Sequence, residues 1–284
     1  MNRMYRLLAL VTIPFFISRT LDVFFNIDPH TGFYYNNGWF IPATVLFVLV
    51  TVLVLMRITV KNKSVIAGRP SSSAIVSAFL FVSSIATAAG SVFLLFNVFN
   101  GVGFTEIFMS RAELFDAGFA STHFRIEFWC SLAGLVAAVW FIFAVVCFLT
   151  NGGDLSAHPW FCCVPVLWFC IRALADYSIA PVNPNNTVIF ASLASDLILA
   201  LFFFRYCRFA ALGYPAEETK KLAVPALLAF IFTVSFKLPL VVFAVETSMA
   251  ETLYILSDAF AATAAFCIVN KILKGAVVVN EQEN

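Results

Sequence analysis

Seven ionisable residues lie inside long apolar stretches of the sequence, where charged side chains are rare. They are Arg19, Asp22, Arg172, Asp176, Asp196, Lys237 and Asp258. At the centre of a membrane helix each such residue costs at least about 2.5–3.5 kcal/mol, so it usually faces a partner or a water-filled cavity. Charged groups in such cavities bind solutes, conduct ions or relay protons. These seven residues are therefore the candidates for chemistry in this chain.

The composition places these residues in a membrane protein. Of the 284 residues, 62% are hydrophobic and 12% are charged, and the mean hydropathy is +0.94. An ordinary soluble domain carries about 25% charged residues. This composition excludes a soluble enzyme, a disordered chain and a nucleic-acid-binding module, and the formal net charge of +1 gives no reason to expect a nucleic-acid partner. The lipid bilayer is the predicted environment.

Apolar runs long enough to cross a bilayer, which takes about 20 helical residues, occur eight times. They cover approximately residues 6–26, 38–58, 73–99, 126–149, 158–180, 187–206, 222–245 and 250–273. Only helices and closed barrels satisfy every backbone group in lipid, and continuous apolar runs without strict alternation exclude the barrel. The sequence therefore predicts an all-α polytopic membrane protein, a single membrane domain over 1–284 with eight transmembrane helices.

The placement of Lys and Arg predicts the orientation, because cytoplasmic loops carry an excess of both. With a cytoplasmic N-terminus, two basic residues between spans face outside, Arg111 and Arg125. Twelve face inside, namely Arg3, Arg6, Arg57, Lys61, Lys63, Arg69, Arg205, Arg208, Lys220, Lys221, Lys271 and Lys274. This asymmetry predicts that both termini are cytoplasmic. Compactness and short loops favour a bacterial cytoplasmic membrane as the location.

The outer segment 100–125 is too polar to span. Its phenylalanines recur near helical spacing with charged residues between them, which is typical of an amphipathic helix in the outer interface. A helix packed over the mouth of the bundle fits the same pattern. The interpretation as an interfacial segment and the packed alternative both remain open at this point.

The two halves of the chain, 1–150 and 157–274, show a weak internal correspondence. A proline precedes an Arg and an Asp in both the first and the fifth span, and paired asparagines follow at Asn36-Asn37 and Asn185-Asn186, 149 residues apart. An even number of spans per half gives both halves the same orientation, as in the parallel repeats of some transporters. These matches suggest a 4+4 parallel repeat, although segment 100–125 has no counterpart.

Depth arithmetic places the seven charges in one layer. At 1.5 Å rise per residue, Arg19, Arg172 and Lys237 lie roughly 20–22 Å from the inner ends of their spans. In a core about 30 Å thick this leaves them about 8–10 Å below the outer face, and Asp196 and Asp258 lie about 12–13 Å down. Charges from five helices thus share the outer half of the membrane.

Spacing predicts which of these charges pair locally. Arg19 with Asp22 (i,i+3) and Arg172 with Asp176 (i,i+4) can each meet on one helix face. The other three have no opposite charge at helical spacing and must pair across helices or contact water. Three cations and four carboxylates leave one excess negative charge. Either one carboxylate stays protonated, or a cation occupies the site; a closed salt-bridge network that only fixes helix packing is the alternative.

These features favour a transporter or solute-binding permease for a small polar or zwitterionic solute, coupled to protons or cations. Lys237, Asp196 and Asp258 would form the centre of its outward-facing cavity. The other four charged residues would flank that cavity or act as its gate. Pro239 and Pro225 lie in the span of Lys237, where proline frees backbone carbonyls that recur in ion and substrate sites.

Two other classes of function remain open. Asp196 and Asp258 each follow a serine at similar depth, so together they could activate water in an intramembrane hydrolase that acts on a lipid-like substrate. The protein could also be a ligand-sensing or assembly subunit of a membrane complex. Its protein partners would then be other membrane subunits or further copies of itself. The sequence shows no nucleotide-binding glycine loop, zinc-ligand spacing or Ser/His/Asp arrangement, and therefore predicts no cofactor and no metal.

Overall fold

The structure is a computed structural model that describes the greater part of the chain. The described residues are 9–10, 12–28, 34–35, 50, 53–54, 57, 72–102, 105–109, 113, 123–150, 154–155, 158–179, 187–242 and 248–282. Helices account for nearly all of them. The α-helices are α1 (Thr12–Asn26), α2 (Ala74–Gly101), α3 (His123–Thr150), α4 (Cys163–Ile179), α5 (Thr187–Ala211), α6 (Ala216–Phe232), α7 (Leu238–Val242) and α8 (Met249–Gln282).

Six helical segments of the described chain are long and apolar enough to cross a membrane. They cover Ala74–Gly101, His123–Thr150, Pro159–Ser178, Ile189–Ala211, Lys221–Val241 and Met249–Leu273. Each coincides with one of the apolar runs of the sequence, so the prediction of long apolar helices, able to span a membrane, is confirmed for these six. These six helices correspond to the third to the eighth predicted spans.

The remaining predictions of topology rest on parts of the chain that the structure describes only in fragments. The described part of helix α1 covers 15 residues, fewer than a full span needs. The predicted second span, 38–58, and the outer segment 100–125 lie mostly outside the described residues. Within the latter, a short 3₁₀ helix covers Glu106–Phe108. The eight-span count, the cytoplasmic termini and the 4+4 repeat therefore stay predictions.

The six long segments form a closed ring of neighbours. Helix α2 packs against α3 and α8, α4 lies between α3 and α5, and α6 closes the ring between α5 and α8. Close approach is possible where a glycine faces a large ring: a Cβ on Gly134 would lie 2.9 Å from Trp168 and would also collide with Ser91. The interior of this ring is where the charged side chains meet.

The span that contains Lys237 is not a regular α-helix. A π-helix over Thr233–Lys237 separates α6 from α7, and the N–H of Leu238 donates to the carbonyl of Thr233, five residues earlier. Pro239 follows immediately and has no N–H to donate. Single-turn π-helices are frequent at functional sites. The sequence predicted that proline would free backbone carbonyls in this span, and the structure has a π-helix directly before Pro239.

The π-helix is held by neighbours on two sides. The Ser195 and Thr233 hydroxyls lie 2.7 Å apart, which joins it to α5. The Ser235 hydroxyl donates to the carbonyl of Thr12 at 3.2 Å, which joins it to α1. Helix α1 therefore packs beside the segment that presents Lys237, although it lies far away in sequence.

Candidate functional site

Four buried charged residues from separate parts of the bundle form one ion cluster, defined here as Arg172, Asp196, Lys237 and Asp258. The Lys237 Nζ lies 2.8 Å from Asp196 Oδ1 and 2.5 Å from Asp258 Oδ2. The Arg172 Nη1 lies 2.7 Å from Asp258 Oδ1, and its Nη2 lies 3.4 Å from Asp196 Oδ2. Each cation thus contacts both carboxylates, and the cluster is neutral when all four groups are ionised.

The ion cluster ties the interior of the bundle together. Arg172 comes from α4, Asp196 from α5, Lys237 from the π-helix and Asp258 from α8. The exposed fraction is 4% for Arg172, 1% for Lys237 and 0% for both aspartates. Buried charges are tolerated when they are paired and hydrogen-bonded. Of the two predicted alternatives for Lys237, Asp196 and Asp258, pairing across helices or contact with water, the structure shows pairing across helices.

Hydroxyl groups fix the rotation of the two helices that carry the aspartates. Ser257, which precedes Asp258, has its hydroxyl 2.5 Å from that of Thr87 and 2.9 Å from that of Ser83, both on α2. Ser195, which precedes Asp196, contacts Thr233 in the π-helix. These small polar contacts orient the carboxylates toward the two cations.

Arg172 also lies against two aromatic rings. Its guanidinium carbon is 5.4 Å from the ring centre of Trp168 and 4.9 Å from that of Tyr254. A cation over an aromatic face is attracted by the ring quadrupole, and more so when it is desolvated. The two rings and the two carboxylates together fix the position of this side chain.

Arg19 and Asp22 form a separate pair on α1, as their spacing predicted. The Arg19 Nη1 lies 2.5 Å from Asp22 Oδ2, and the Tyr34 hydroxyl donates to the same carboxylate oxygen at 2.6 Å. Asn26 donates to the other oxygen of Asp22 at 2.9 Å. Burial raises the pKa of Tyr34 above its ordinary value, and its hydroxyl is a donor at neutral pH. Tyr34 and Asn26 thus both donate to the carboxylate that pairs with Arg19.

Arg172 and Asp176 do not pair in the way that their i,i+4 spacing allowed. The guanidinium of Arg172 is directed to Asp258 and Asp196 on other helices. The Oδ2 atom of Asp176 is buried and has no hydrogen-bond partner in the described part of the chain. Asp176 is therefore the carboxylate that the charge count left in excess among the seven residues.

A cavity of about 260 Å³ lies beside the ion cluster, where α2 and α4 end and α3, α5 and α8 begin. The predicted orientation places this end of the bundle outside. Among the described residues, twelve line it: Leu94, Glu127, Cys130, Arg172, Ala175, Asp176, Ile189, Ser192, Ser248, Ala250, Glu251 and Tyr254. Arg172 belongs to both the wall of the cavity and the ion cluster.

The structure brings together part of the predicted site and adds residues to it. Arg172 and Asp176 line the cavity, whereas Lys237, Asp196 and Asp258 lie behind Arg172 and are not among its lining residues. Glu127, Glu251 and Tyr254 line it as well and were not predicted. The two glutamates lie within a few residues of where their apolar runs begin. This position at the outer ends of the spans is the sequence feature that could have identified them.

The chemistry of the cavity differs from that of a hydrolytic aspartate pair. Asp196 and Asp258 do lie close together, since both contact the Lys237 ammonium. They lie behind Arg172, however, and each oxygen faces a cation. Among the described residues, no group of three His, Cys, Asp or Glu side chains could hold a metal ion. The wall offers a shared arginine, three acidic side chains and a tyrosine ring.

Comparison of the chain with protein families, with curated proteins and with solved structures finds no match.

Proposed function

We propose that this protein is a membrane transporter or solute-binding permease that takes up a small polar or zwitterionic solute into the cavity beside Arg172. Movement of the solute is coupled to protons or to a cation through the ion cluster. Lys237, Asp196 and Asp258 form the coupling element, and Arg172 and Asp176 contact the solute. Arg19 and Asp22 flank the site on α1.

The dual position of Arg172 is the observation that supports this proposal. A solute in the cavity lies against a guanidinium that is also bonded to Asp258 and lies near Asp196. Any shift of Arg172 toward the solute weakens its contacts with those carboxylates and changes the charge balance around Lys237. Asp196 Oδ2 accepts no hydrogen bond from any described residue and faces Arg172 at 3.4 Å, so this contact is the weakest in the cluster.

The π-helix supplies an element that can rearrange in response. It carries Lys237 at its end, and Pro239 prevents a regular hydrogen-bond ladder in the following turn. Discontinuous helices next to a binding site recur in secondary transporters. A change in the ion cluster therefore acts directly on the part of the bundle with the most irregular backbone.

The intramembrane hydrolase remains a less favoured alternative, because a substrate in the cavity meets Arg172 before either aspartate. A ligand-sensing or assembly subunit would use the same cavity without a transport cycle. These alternatives differ from the proposal in one observable, which is net accumulation of solute inside a sealed vesicle.

The test uses the purified chain in proteoliposomes and a panel of small amines, amino acids and neutral polar solutes. We expect uptake of at least one class of solute to depend on an imposed proton or sodium gradient. Asp258→Asn and Asp196→Asn should each lower the initial rate by about tenfold or more, because each removes a charge of the coupling element; tenfold corresponds to about 1.4 kcal/mol. Both rates should lose their dependence on pH between about pH 5 and pH 8.

Glu106→Gln is the matched control, because this carboxylate bonds to the neighbouring Thr105 hydroxyl and does not line the cavity. Its uptake should equal that of the unmodified chain. Accumulation that is unchanged in both Asn variants across this pH range would refute the coupling mechanism. Binding without accumulation of any solute in the panel would favour the sensing subunit.

A further inference from the structure

Two cysteines from different helices are in contact at one end of the bundle. Cys163 is the first residue of α4, and Cys207 lies near the end of α5. Their sulfur atoms are 3.9 Å apart. All seven cysteines of the chain lie among the described residues and are free thiols, and this is the only pair of them in contact. Two groups that can bond covalently to each other thus lie on neighbouring helices.

The two thiols differ in exposure. Cys163 is exposed, whereas Cys207 is half-buried and donates from its Sγ to the carbonyl of Pro159 at 2.9 Å. Pro159 begins the 3₁₀ helix that leads into α4 and covers Pro159–Cys162. Cys207 is therefore held against the start of α4, beside a thiol that a small oxidant can reach. Redox-sensitive cysteines share this arrangement of an accessible thiol next to a second, resolving thiol.

A disulfide between these two residues requires only a small movement. The S–S bond of a disulfide is about 2.05 Å long, so the two sulfur atoms have to approach by about 1.9 Å from their separation of 3.9 Å. Side chains change between staggered rotamers about the Cα–Cβ bond, and the exposed Cys163 has room to do so. Helices α4 and α5 already pack against each other. The approach is on the scale of a side-chain rotation and not of a helix movement.

The same two helices carry part of the ion cluster. At 1.5 Å rise per residue, Arg172 lies about 14 Å along α4 from Cys163, and Asp196 lies about 17 Å along α5 from Cys207. The longest contact of the ion cluster, 3.4 Å between Arg172 Nη2 and Asp196 Oδ2, joins these two helices. A covalent link at the thiol pair therefore restricts any movement of α4 relative to α5 that would change this contact.

We propose that Cys163 and Cys207 form a redox-modification site, at which a peroxide oxidises the two thiols to a disulfide that locks α4 to α5 and arrests transport. The arrest rests on the proposed function, whereas the formation of the disulfide and the locking of the helices do not. The predicted orientation places this end of the bundle on the cytoplasmic side. Disulfides in a reducing compartment are usually transient and redox-sensing, so the modification is a reversible one.

The oxidation is balanced with one molecule of hydrogen peroxide per disulfide. Peroxide transfers one oxygen atom to the exposed thiol of Cys163, which gives a sulfenic acid and releases one water molecule. The Cys207 sulfur then attacks the Cys163 sulfur, so that an S–S bond forms and the S–O bond breaks. The leaving oxygen takes up the Cys207 proton and departs as a second water molecule. The two sulfur atoms together lose two electrons, and the peroxide gains both.

The first measurement identifies the bond. The purified full chain in proteoliposomes is treated with hydrogen peroxide, digested with trypsin without reduction and analysed by mass spectrometry. Trypsin cleaves after Arg172 and Arg205, so Cys163 and Cys207 fall on different peptides. We expect a linked pair of these two peptides as the main cross-linked product. Fragmentation of the pair should place the bond on Cys163 and not on the adjacent Cys162, which is buried.

The second measurement tests the lock itself. A disulfide stabilises a fold by constraining the unfolded chain. Peroxide treatment should therefore raise the denaturant concentration at the midpoint of unfolding, and dithiothreitol should reverse the shift. Cys163→Ser and Cys207→Ser should show no shift, because serine cannot form the bond. The serine hydroxyl at position 207 can still donate to the Pro159 carbonyl, and position 163 is exposed, so both variants are expected to fold.

The third measurement concerns transport of the panel of small amines, amino acids and neutral polar solutes. For each solute that the unmodified chain accumulates, peroxide should lower the initial rate at least about tenfold, because transport requires the helices to move. Dithiothreitol should restore the rate. Both serine variants should keep their rate in peroxide. Cys267→Ser is the matched control, because Cys267 is half-buried like Cys207 but lies on α8, and this variant should respond like the unmodified chain.

Absence of a Cys163–Cys207 linked peptide after peroxide treatment would overturn the redox site. An unfolding midpoint that is the same before and after oxidation would overturn the lock. Equal inhibition of the unmodified chain and of Cys207→Ser would show that peroxide acts elsewhere, and would overturn the arrest while transport stands. If no solute in the panel accumulates with or without peroxide, the proposed function fails, and the linked peptide and the midpoint still decide the redox site.

Discussion

Replacing Lys237 by methionine tests whether the ion cluster behaves as a buried, mutually dependent unit. The substitution keeps an unbranched side chain but removes the charge, so Arg172 is left with two carboxylates. Removing one partner of a buried ion pair typically costs about 3–5 kcal/mol, because an uncompensated charge stays buried. We expect the free energy of unfolding of Lys237→Met to fall by that amount.

A second substitution separates charge balance from packing. Lys237→Met combined with Asp196→Asn leaves one cation and one carboxylate, Arg172 and Asp258, whose atoms lie 2.7 Å apart. The double variant should therefore be more stable than the sum of the single changes predicts. Coupling energies for directly contacting residues are about 0.5–3 kcal/mol. Reversible unfolding in mixed micelles, followed by circular dichroism, measures each free energy.

The chain contains a matched control for this experiment. Lys221 Nζ lies 2.8 Å from Glu218 Oε1, the same distance as between Lys237 Nζ and Asp196 Oδ1. The side chain of Lys221 is 50% exposed, however, and that of Lys237 only 1%. Lys221→Met should cost no more than about 1 kcal/mol, because the lysine end of this pair is half exposed and Arg208 Nη2, at 3.3 Å, still faces the same Glu218 oxygen. Equal costs for the two Lys→Met changes would refute the reasoning from burial.

Two further predictions concern pH and close packing. The hydrogen bond from Lys221 is the main cause that lowers the pKa of Glu218 below its ordinary value of 4.5. The ionised Glu218 carboxylate therefore stabilises the fold above pH 4.5, and this stabilisation is lost as the pH falls through the lowered pKa. Glu218→Gln should cost at most about 1 kcal/mol at pH 7, and the stability of that variant should change less than that of the unmodified chain between about pH 3 and pH 5. Gly134→Ala should lower the free energy of unfolding by about 1–3 kcal/mol, because the new Cβ collides with Trp168. Gly101→Ala should leave it unchanged, because no heavy atom lies within 4 Å of the new Cβ. The same unfolding assay measures both variants.

For the first of these, equal pH profiles of the Gln variant and the unmodified chain between pH 3 and pH 5 would contradict the assignment of the lowered pKa. For the second, the comparison between the two glycines is decisive. If both alanine variants unfold at the same denaturant concentration, the close approach of α3 to α2 and α4 is not what limits side-chain size at position 134.

Much of the ion cluster could be predicted from sequence because depth in a membrane follows from counting residues. The count placed Arg172, Asp196, Lys237 and Asp258 at similar levels, and the structure brings those four together. Residue spacing also predicted the local Arg19–Asp22 pair, since side chains three residues apart lie on one face of a helix. Levels and local spacing are properties of single helices, so one sequence suffices to predict them.

Helix rotation could not be predicted in the same way. The long helices are apolar on nearly every side, so the sequence gives little indication of which face points inward. Arg172 therefore had an apparent partner in Asp176, four residues on, although rotation of α4 directs it to Asp258. For the same reason the sequence did not show that Lys237 lies behind Arg172 and away from the cavity. The π-helix shifts the rotation further, and Pro239 alone did not specify it.

The long separation between Arg172 and Asp258, 86 residues along the chain, has a consequence for biogenesis. During synthesis α4 enters the bilayer well before α8 leaves the ribosome, and Arg172 then lacks its closest carboxylate. Asp196 on α5 is the first carboxylate of its final set to emerge, and Lys237 follows before Asp258. Asp196 brings the set to neutrality, Lys237 then adds one positive charge, and this charge stays unneutralised until α8 inserts with Asp258. A nascent protein arrested before position 258 would be an incomplete assembly that quality-control proteases can recognise.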